Sequence, residues 1–342
     1  MTDDLLEMMV ANYAKYNERL DFDEFQVSQP VIGIPTMKIF GERMYSDTFN
    51  YPHFTWETNV DFVHYAGSWA VPIKYDMEDD ETLYSLLDSI NGVFFTGGAT
   101  ELFDDVTGAP LLDSKYWITA KKIFEYAKRQ KDEKGVDFPL FGICQGFELL
   151  NALANEGHPE TLSTLVIYHE SRPLHWEGNP KEDSTLFSEF SDESIKALSE
   201  QDINLHNHTF VVLTDTYEKR TQLSEFYNIL ATDTHNGHDF VVAIEAKDYP
   251  FSAVMFHPEK QQAKATGHDN KLWYSAGTVN NETTDLINLQ FSEALNRAAL
   301  KNLDKGHKFA DREAGILMEW LNTNVGFTNY RNDSKVVSYG LN

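Results

Sequence analysis

The chain has 342 residues and one cysteine, and its 54 Asp and Glu residues against 28 Lys and Arg give a formal net charge of −26. This charge argues against a nucleic-acid binder, because a phosphate backbone is bound by clustered Lys and Arg and the sequence has no basic run. It equally disfavours docking on anionic membranes. One cysteine cannot form an intrachain bridge, which excludes a small disulfide-stapled domain. No apolar run approaches the ~18 residues of a membrane span, and the start of the chain lacks the basic segment of a secretory signal.

Three segments follow one another along the chain. Residues 1–28 are predicted to form an acidic amphipathic helix and a polar connection, which we interpret as an N-terminal extension. Residues 29–303 carry the strand and helix patterns of a folded domain. Residues 304–342 are predicted to be a polar C-terminal extension.

Short apolar runs alternate with helix-period stretches between residues 30 and 143. The pattern predicts helices near 57–65, 80–90 and 114–131, and strands at 30–35, 69–73, 92–95 and 138–143. This alternation is typical of βαβ units with right-handed crossovers and a parallel sheet. Ligands are then expected outside the carboxyl ends of the strands.

After residue 160 the pattern changes to short strands, predicted at 165–168, 209–213, 227–231, 240–244 and 252–256. The sequence HNGH at 235–238 predicts a hairpin, because Asn-Gly suits a tight primed turn. A helix at about 284–303 follows. The predicted fold class is therefore α/β, with a mainly parallel central sheet flanked by helices and antiparallel additions in the second half.

Cys144 lies where an apolar strand passes directly into a helix-period run. Gly142 and Gly146 leave room for a sharp, strained turn of the kind that presents a nucleophile. The N-terminus of the following helix is expected to favour the thiolate. A lone cysteine in an apolar run is more often a buried structural residue, but the two glycines and the position in the turn favour a nucleophile.

The tripeptide His257-Pro258-Glu259 supplies a base and an orienting carboxylate at the end of a predicted strand. In an extended segment residues i and i+2 point to the same side, so the two side chains are expected to meet. Glu259 would then fix the imidazole while its other nitrogen faces Cys144. The alternative is a strand-end turn with a solvated glutamate.

The sequence Thr96-Gly97-Gly98 follows another strand of the same predicted sheet. Amide hydrolysis passes through a tetrahedral anion that needs preorganised N–H donors. The backbone N–H groups of Gly98 and Gln145 are the candidates for this oxyanion hole. The alternative is an ordinary turn, since the segment matches neither a dinucleotide-binding loop nor a phosphate-binding P-loop.

In this order, these segments resemble the class I glutamine amidotransferase-like superfamily and, within it, the folate γ-glutamyl hydrolases, a family of cysteine peptidases. The similarity runs from about residue 30 to residue 303, and its markers are PVIGIPT, INGVFFTGG, FPLFGICQGFELLN, LSEFYNILATDT and FSAVMFHPEK. The resemblance implies a flavodoxin-like fold and a catalytic domain over residues 29–303. It also implies a Cys144, His257 and Glu259 triad that cleaves the γ-glutamyl amide bonds of pteroyl polyglutamates through a thioester acyl-enzyme, with no cofactor.

The resemblance implies substrate contacts as well. The family carries a further active-site histidine in the middle of the chain, for which His206 is the first choice and His208 the alternative; a polar strand edge is the other interpretation. Gly97 is a further candidate for substrate binding. Because a polyglutamate tail is a polyanion, local cations must offset the acidic chain, and Lys260 and Arg172 are the candidates.

Two further features of the sequence concern metal ligands and the segment after the first strand. No set of three or four ligands stands at metal spacing, so no metal site is predicted. The segment HFTWET at 53–58 stands where relatives carry a tyrosine-containing run.

The resemblance implies a small-molecule substrate, a lysosomal, vacuolar or extracellular compartment, and a homodimer as one possible state. The alternatives are a glutaminase, a hydrolase of another γ-glutamyl amide, and a catalytically silent relative that binds polyglutamates.

Overall fold

The computed structural model describes residues 29–38, 53–260, 277–303, 325–330 and 334–339. The helix predicted within residues 1–28 lies outside these ranges. Within the described ranges, no helix combines the length and apolar character needed to cross a membrane.

The secondary structure alternates strands and helices through the first half of the domain and is richer in strands in the second. The strands are β1 (Val31–Pro35), β2 (Met37–Lys38), β3 (His53–Trp56), β4 (Trp69–Ile73), β5 (Gly92–Phe95), β6 (Leu140–Ile143), β7 (Ser163–Arg172), β8 (His175–Trp176), β9 (Asn204–Val211), β10 (Tyr227–His235), β11 (His238–Ala246), β12 (Phe251–Val254), β13 (Val325–Tyr330) and β14 (Ser334–Tyr339). The helices are α1 (Glu57–Tyr65), α2 (Asp80–Asp88), α3 (Lys115–Lys134), α4 (Gln145–Ala154), α5 (Pro180–Asp183), α6 (Asp192–Glu200), α7 (Thr214–Lys219), α8 (Thr221–Phe226) and α9 (Glu282–Leu300), and Pro258–Lys260 forms a 3-10 turn.

Eight strands form the central sheet in the order β4-β1-β5-β6-β12-β11-β10-β8. The first five are parallel to one another, and the last three continue the sheet in antiparallel pairings. Every residue of β1, β5 and β6 is buried, which explains their uninterrupted apolar runs. The predicted mixed sheet with antiparallel additions is confirmed.

Local signals fix the ends of several helices. The Ser114 side chain accepts a hydrogen bond from the Trp117 N–H at the start of α3, and Gly135 ends that helix in the left-handed conformation with φ 66°. Asn281 and Thr284 form a reciprocal capping box at the start of α9. The predicted bounds of these helices therefore lie within a few residues of the observed ones.

The hairpin predicted at residues 235–238 joins β10 to β11. Asn236 and Gly237 both have positive φ, 50° and 78°, as a primed turn requires. A second antiparallel pair, β7 with β9, stands apart from the central sheet.

The C-terminal segment contributes two strands to a small sheet with the order β13-β14-β3-β2. The partner of β14 is β3, with Val336 opposite Trp56 and Tyr339 opposite His53. The sequence analysis predicted a polar extension from residue 304 onward and did not predict these two strands. The chain enters this small sheet at β2, directly after β1 of the central sheet, and β3 passes directly into α1.

The strands β5, β6 and β12 determine where the candidate site lies. They are adjacent and parallel in the central sheet. Their carboxyl ends therefore meet at one edge, and the chain continues from them into residues 96–100, Cys144 and His257 respectively. Three segments that are far apart in sequence are brought together by the strand order.

Candidate active site

Cys144 occupies a strained turn between β6 and α4. Its backbone has φ 51° and ψ −108°, a conformation that residues other than glycine rarely adopt. A side chain at Gly142 would place its Cβ 2.6 Å from the Gly146 carbonyl oxygen, and one at Gly146 would collide with the Phe95 carbonyl. The two glycines are therefore required by close backbone approach, as the sequence indicated.

The Cys144 thiol lines a cavity of about 220 Å³ at the carboxyl edge of the sheet, together with Gly97, Gly98 and His257. Gly97 separates the cysteine from the histidine. A Cβ at Gly97 would lie 2.6 Å from His257 Cε1 and 3.3 Å from Cys144 Cβ. The absence of a side chain at position 97 thus lets both residues face the same space.

The resting thiol is held in its protonated form. Burial raises the pKa of Cys144, and the charge of Glu259, joined by that of Glu148 once Glu148 ionises above about pH 8, raises it further. The Gln145 N–H group and the Lys260 ammonium oppose this shift and favour the thiolate. The expected effect of the helix N-terminus is present, but desolvation outweighs it, so a nearby base would be needed to form the thiolate.

The His257 ring is oriented by Glu259. Its Nδ1 lies 2.8 Å from Glu259 Oε1, and both side chains are buried. Burial raises the pKa of Glu259, but the charge and hydrogen bond of His257, together with the Lys260 ammonium, outweigh it and leave the pKa below its usual value. Glu259 is therefore an anion that holds the imidazole.

The backbone around Glu259 differs from the predicted extended segment. Strand β12 ends at Val254, and Pro258–Lys260 is a 3-10 turn. The His257 N–H group donates to the Leu205 carbonyl of β9. The contact between the histidine and the glutamate was thus predicted correctly for the wrong reason, since a tight turn rather than a strand brings the two side chains together.

Lys260 is buried and lines the cavity. Its Nζ lies 2.8 Å from Thr58 Oγ1, 3.7 Å from Glu259 Oε1 and 5.6 Å from the centre of the Trp56 ring. Burial lowers the pKa of Lys260, while Glu259 and Cys144 oppose that shift. It is the one Lys or Arg among the described residues of the cavity lining.

The two candidate oxyanion donors belong to segments that are joined by side-chain hydrogen bonds. Gln145 Oε1 accepts from the Thr100 N–H at 3.0 Å and from the Thr100 hydroxyl at 2.7 Å, and Gln145 Nε2 donates to the Thr100 carbonyl at 3.1 Å. Both Gly98 and Gln145 line the cavity. Their role as anion donors stays a prediction.

The two central histidines form a buried pair. His206 Nδ1 lies 3.0 Å from His208 Nε2, and His208 lines the cavity while His206 packs behind it against Phe240 and Phe256. Burial lowers the pKa of His206 to about 3 and that of His208 well below its usual value. His208, the alternative candidate, therefore lines the cavity, whereas His206, the first choice, does not.

Glu148 also lines the cavity and had no role in the sequence analysis. Burial raises its pKa to about 8, so this carboxyl is protonated at neutral pH. It lies four residues after Cys144 on α4, a spacing that places residues on one helix face and could have drawn attention to it. Other lining residues that the sequence analysis did not single out include Thr100, Phe103, Asp105, Tyr168, Asn207, Thr209 and Phe210.

The structure places Arg172 outside the cavity lining. Its guanidinium donates to Asp233 Oδ2 at 2.6 Å and to the Thr234 carbonyl at 2.6 Å, and Glu170 lies 3.2 Å away. The residue therefore links β7 to β10 and is not brought together with Cys144, His257 and Glu259. Among the residues that the structure describes, no group of three or more His, Cys, Asp or Glu could hold a metal ion.

Comparison with known proteins defines the family. The Peptidase C26 family profile matches residues 30–259. The chain is 28% identical over 285 residues to Gamma-glutamyl hydrolase B of Dictyostelium discoideum, covering 83% of this chain and 75% of that protein. It is 31% identical over 235 residues to Gamma-glutamyl hydrolase 1 of Arabidopsis thaliana (68% and 63%) and 32% identical over 233 residues to Gamma-glutamyl hydrolase of Mus musculus (68% and 68%). The protein belongs to the Peptidase C26 family and is a hydrolase.

Solved structures similar to this chain include two proteins of low sequence identity. The glutaminase domain of Trypanosoma brucei CTPS with bound acivicin has a TM-score of 0.47 and 14% identity, covering 83% of this chain and 98% of that one. PurLQS from Thermotoga maritima has a TM-score of 0.39 and 12% identity, covering 79% and 99%.

Proposed function

We propose that this protein hydrolyses the γ-glutamyl amide bonds of folate poly-γ-glutamates with Cys144, His257 and Glu259 as its catalytic triad. The observation that carries the proposal is the arrangement at one cavity, where Cys144 and His257 both line the space beside Gly97 and Glu259 Oε1 lies 2.8 Å from the imidazole Nδ1. This is the set of parts that nucleophilic catalysis by a thiol requires.

The proposed reaction has two steps, formation of a thioester and its hydrolysis. His257 takes the proton of the Cys144 thiol as the sulfur forms a bond to the γ-carbonyl carbon, and the N–H groups of Gly98 and Gln145 stabilise the oxyanion. The C–N bond then breaks, and the imidazolium gives its proton to the leaving amine. Water, deprotonated by His257, attacks the thioester and releases the γ-carboxylate and the free thiol.

The charges in the cavity suit a glutamyl group. The Lys260 ammonium offers a partner for a substrate carboxylate within an otherwise acidic protein. The neutral Glu148 carboxyl can donate a hydrogen bond there without repelling an anion. His208, neutral because of its burial, presents a further ring at the same cavity.

The proposal is tested by mass spectrometry of the products from pteroyl-pentaglutamate after incubation with wild type and with Cys144→Ala. Shortened pteroyl species from wild type alone are expected, and the released fragments will distinguish terminal from internal cleavage. Glutamate release from glutamine without cleavage of the pteroyl substrate would replace the proposal with a glutaminase. Intact pteroyl-pentaglutamate and intact glutamine with both proteins would favour a silent relative.

A further inference from the structure

Trp56 lies in the HFTWET segment at 53–58, and the proposed mechanism assigns it no role. The residue ends β3 and is 6% exposed, and it lines the same cavity as Cys144 and Lys260. The Lys260 Nζ lies over the Trp56 ring, 5.6 Å from the ring centre. Thr58, two residues later, accepts a hydrogen bond from the same ammonium at 2.8 Å. One short stretch of chain therefore contacts Lys260 on two sides.

A lysine is a flexible side chain, and its ammonium needs several partners to occupy one position in a buried site. An aromatic face attracts a cation more strongly when both are desolvated. Lys260 is 5% exposed, and Glu259 Oε1 lies 3.7 Å from its Nζ. The indole face, the threonine hydroxyl and the carboxylate thus surround the ammonium within the cavity wall.

We propose that Trp56 is a positioning residue: together with Thr58 it holds the Lys260 ammonium where its charge favours the Cys144 thiolate. The charged and titratable groups around the thiol are Glu148 on α4, His257 and Glu259 in the segment after β12, and Lys260 itself. His208 and Asp105 belong to the wider cavity lining. Among the described lining residues Lys260 is the one Lys or Arg, so its charge offsets that of Glu259 and, above about pH 8, that of Glu148.

The single cysteine allows a direct test, because iodoacetamide labels Cys144 and no other thiol. The pH midpoint of alkylation is measured for wild type, Trp56→Leu and Thr58→Val. Both variants should raise the midpoint by about 0.5 to 1 pH unit, since a displaced ammonium supports the thiolate less. The midpoint is used rather than the rate, because a smaller side chain at position 56 also admits the reagent more freely. Thr58→Val does not open the cavity and keeps the test valid if Trp56→Leu folds poorly.

Two further variants separate the proposed role from loss of packing. Trp56→Phe retains an aromatic face and should recover most of the wild-type midpoint. Trp176→Leu removes an indole that packs against Phe187 away from the cavity, and its midpoint should equal that of wild type.

A double-mutant cycle shows whether Trp56 acts through Lys260. Lys260→Gln should raise the midpoint, and adding Trp56→Leu should raise it no further. An undiminished effect of Trp56→Leu in the Lys260→Gln protein would overturn the proposal, as would single variants at positions 56 and 58 whose midpoints match that of wild type. A shift in Thr58→Val alone would overturn the assignment to Trp56.

The inference rests on Cys144 being the nucleophile of the proposed function, but its readout needs no substrate. If the wild-type protein cleaves no γ-glutamyl bond while the midpoints shift as expected, the proposed function fails and the positioning role stands. If cleavage is observed while the midpoints do not move, the positioning role fails alone.

Discussion

Gln145 holds Thr100 by three hydrogen bonds, two to its backbone groups and one to its hydroxyl. The contact joins the loop after β5 to the first residue of α4, which follows Cys144. It therefore fixes the distance between the two backbone N–H groups proposed for the oxyanion hole. Preorganisation of this kind is the usual source of electrostatic catalysis.

Replacement of Gln145 by Leu should lower kcat on pteroyl polyglutamate by about 10- to 100-fold with little change in KM, because the loop would lose its fixed position relative to Cys144. Steady-state kinetics check this. Thr100→Val is the matched control, since it removes the hydroxyl contact and keeps both backbone contacts, and its loss should be smaller. Wild-type kcat in Gln145→Leu would contradict the role of this contact.

Gly146→Ala should destabilise the protein by about 1–3 kcal/mol and abolish hydrolysis, because the new Cβ collides with the Phe95 backbone and no side-chain rotation relieves it. Urea unfolding and an activity assay measure the two effects. Gly135→Ala is the control: nothing lies near its Cβ, and its cost, about 1–2 kcal/mol, arises from the positive φ alone. This control should keep wild-type kcat. An active Gly146→Ala would contradict the tight elbow.

Glu148 makes stability depend on pH in a defined direction. Its pKa is about 8 in the folded protein against 4.5 for an unperturbed glutamate. Between these values the folded protein keeps a proton that the unfolded chain releases, so the contribution of Glu148 to stability is present below about pH 4.5 and is lost as pH rises toward 8. The slope is at most about 1.4 kcal/mol per pH unit.

Glu148→Gln should remove this slope. The unfolding free energy of the variant minus that of wild type is expected to grow from about pH 5 to about pH 8. Urea unfolding at several pH values measures this difference. A difference that stays constant across the window would show that the Glu148 carboxyl titrates normally.

Arg172→Met should lower the unfolding free energy by about 2–3 kcal/mol, because it leaves the buried Asp233 carboxylate without its cation. The KM for pteroyl polyglutamate should stay at the wild-type value, since Arg172 does not line the cavity. Lys196→Met, which breaks an exposed pair with Glu200, should change stability by less than about 0.5 kcal/mol. A several-fold rise in KM with unchanged stability would restore Arg172 as a substrate contact.

Local patterns in the sequence were sufficient for the mixed sheet and for the strained turn at Cys144, the proposed nucleophile. The fully buried strands have no alternation of polar residues, and Gly142 and Gly146 mark the turn at Cys144 because any side chain there meets backbone. His257 and Glu259 are two residues apart, so their contact needed only a local bend. These features depend on neighbours in the chain, which is why the sequence by itself determined them.

Contacts between distant segments were decided by the tertiary structure alone. His206 and His208 are both candidates in the sequence pattern, and the packing of β9 against the His257 segment leaves one at the cavity and the other behind it. Arg172 is paired with a carboxylate 61 residues away, and Lys260 with a hydroxyl 202 residues away. Burial, which sets the charge of Glu148, also exists only after the strands have packed. Long-range packing and desolvation leave no periodic trace in the sequence, so the structure was needed to assign these residues.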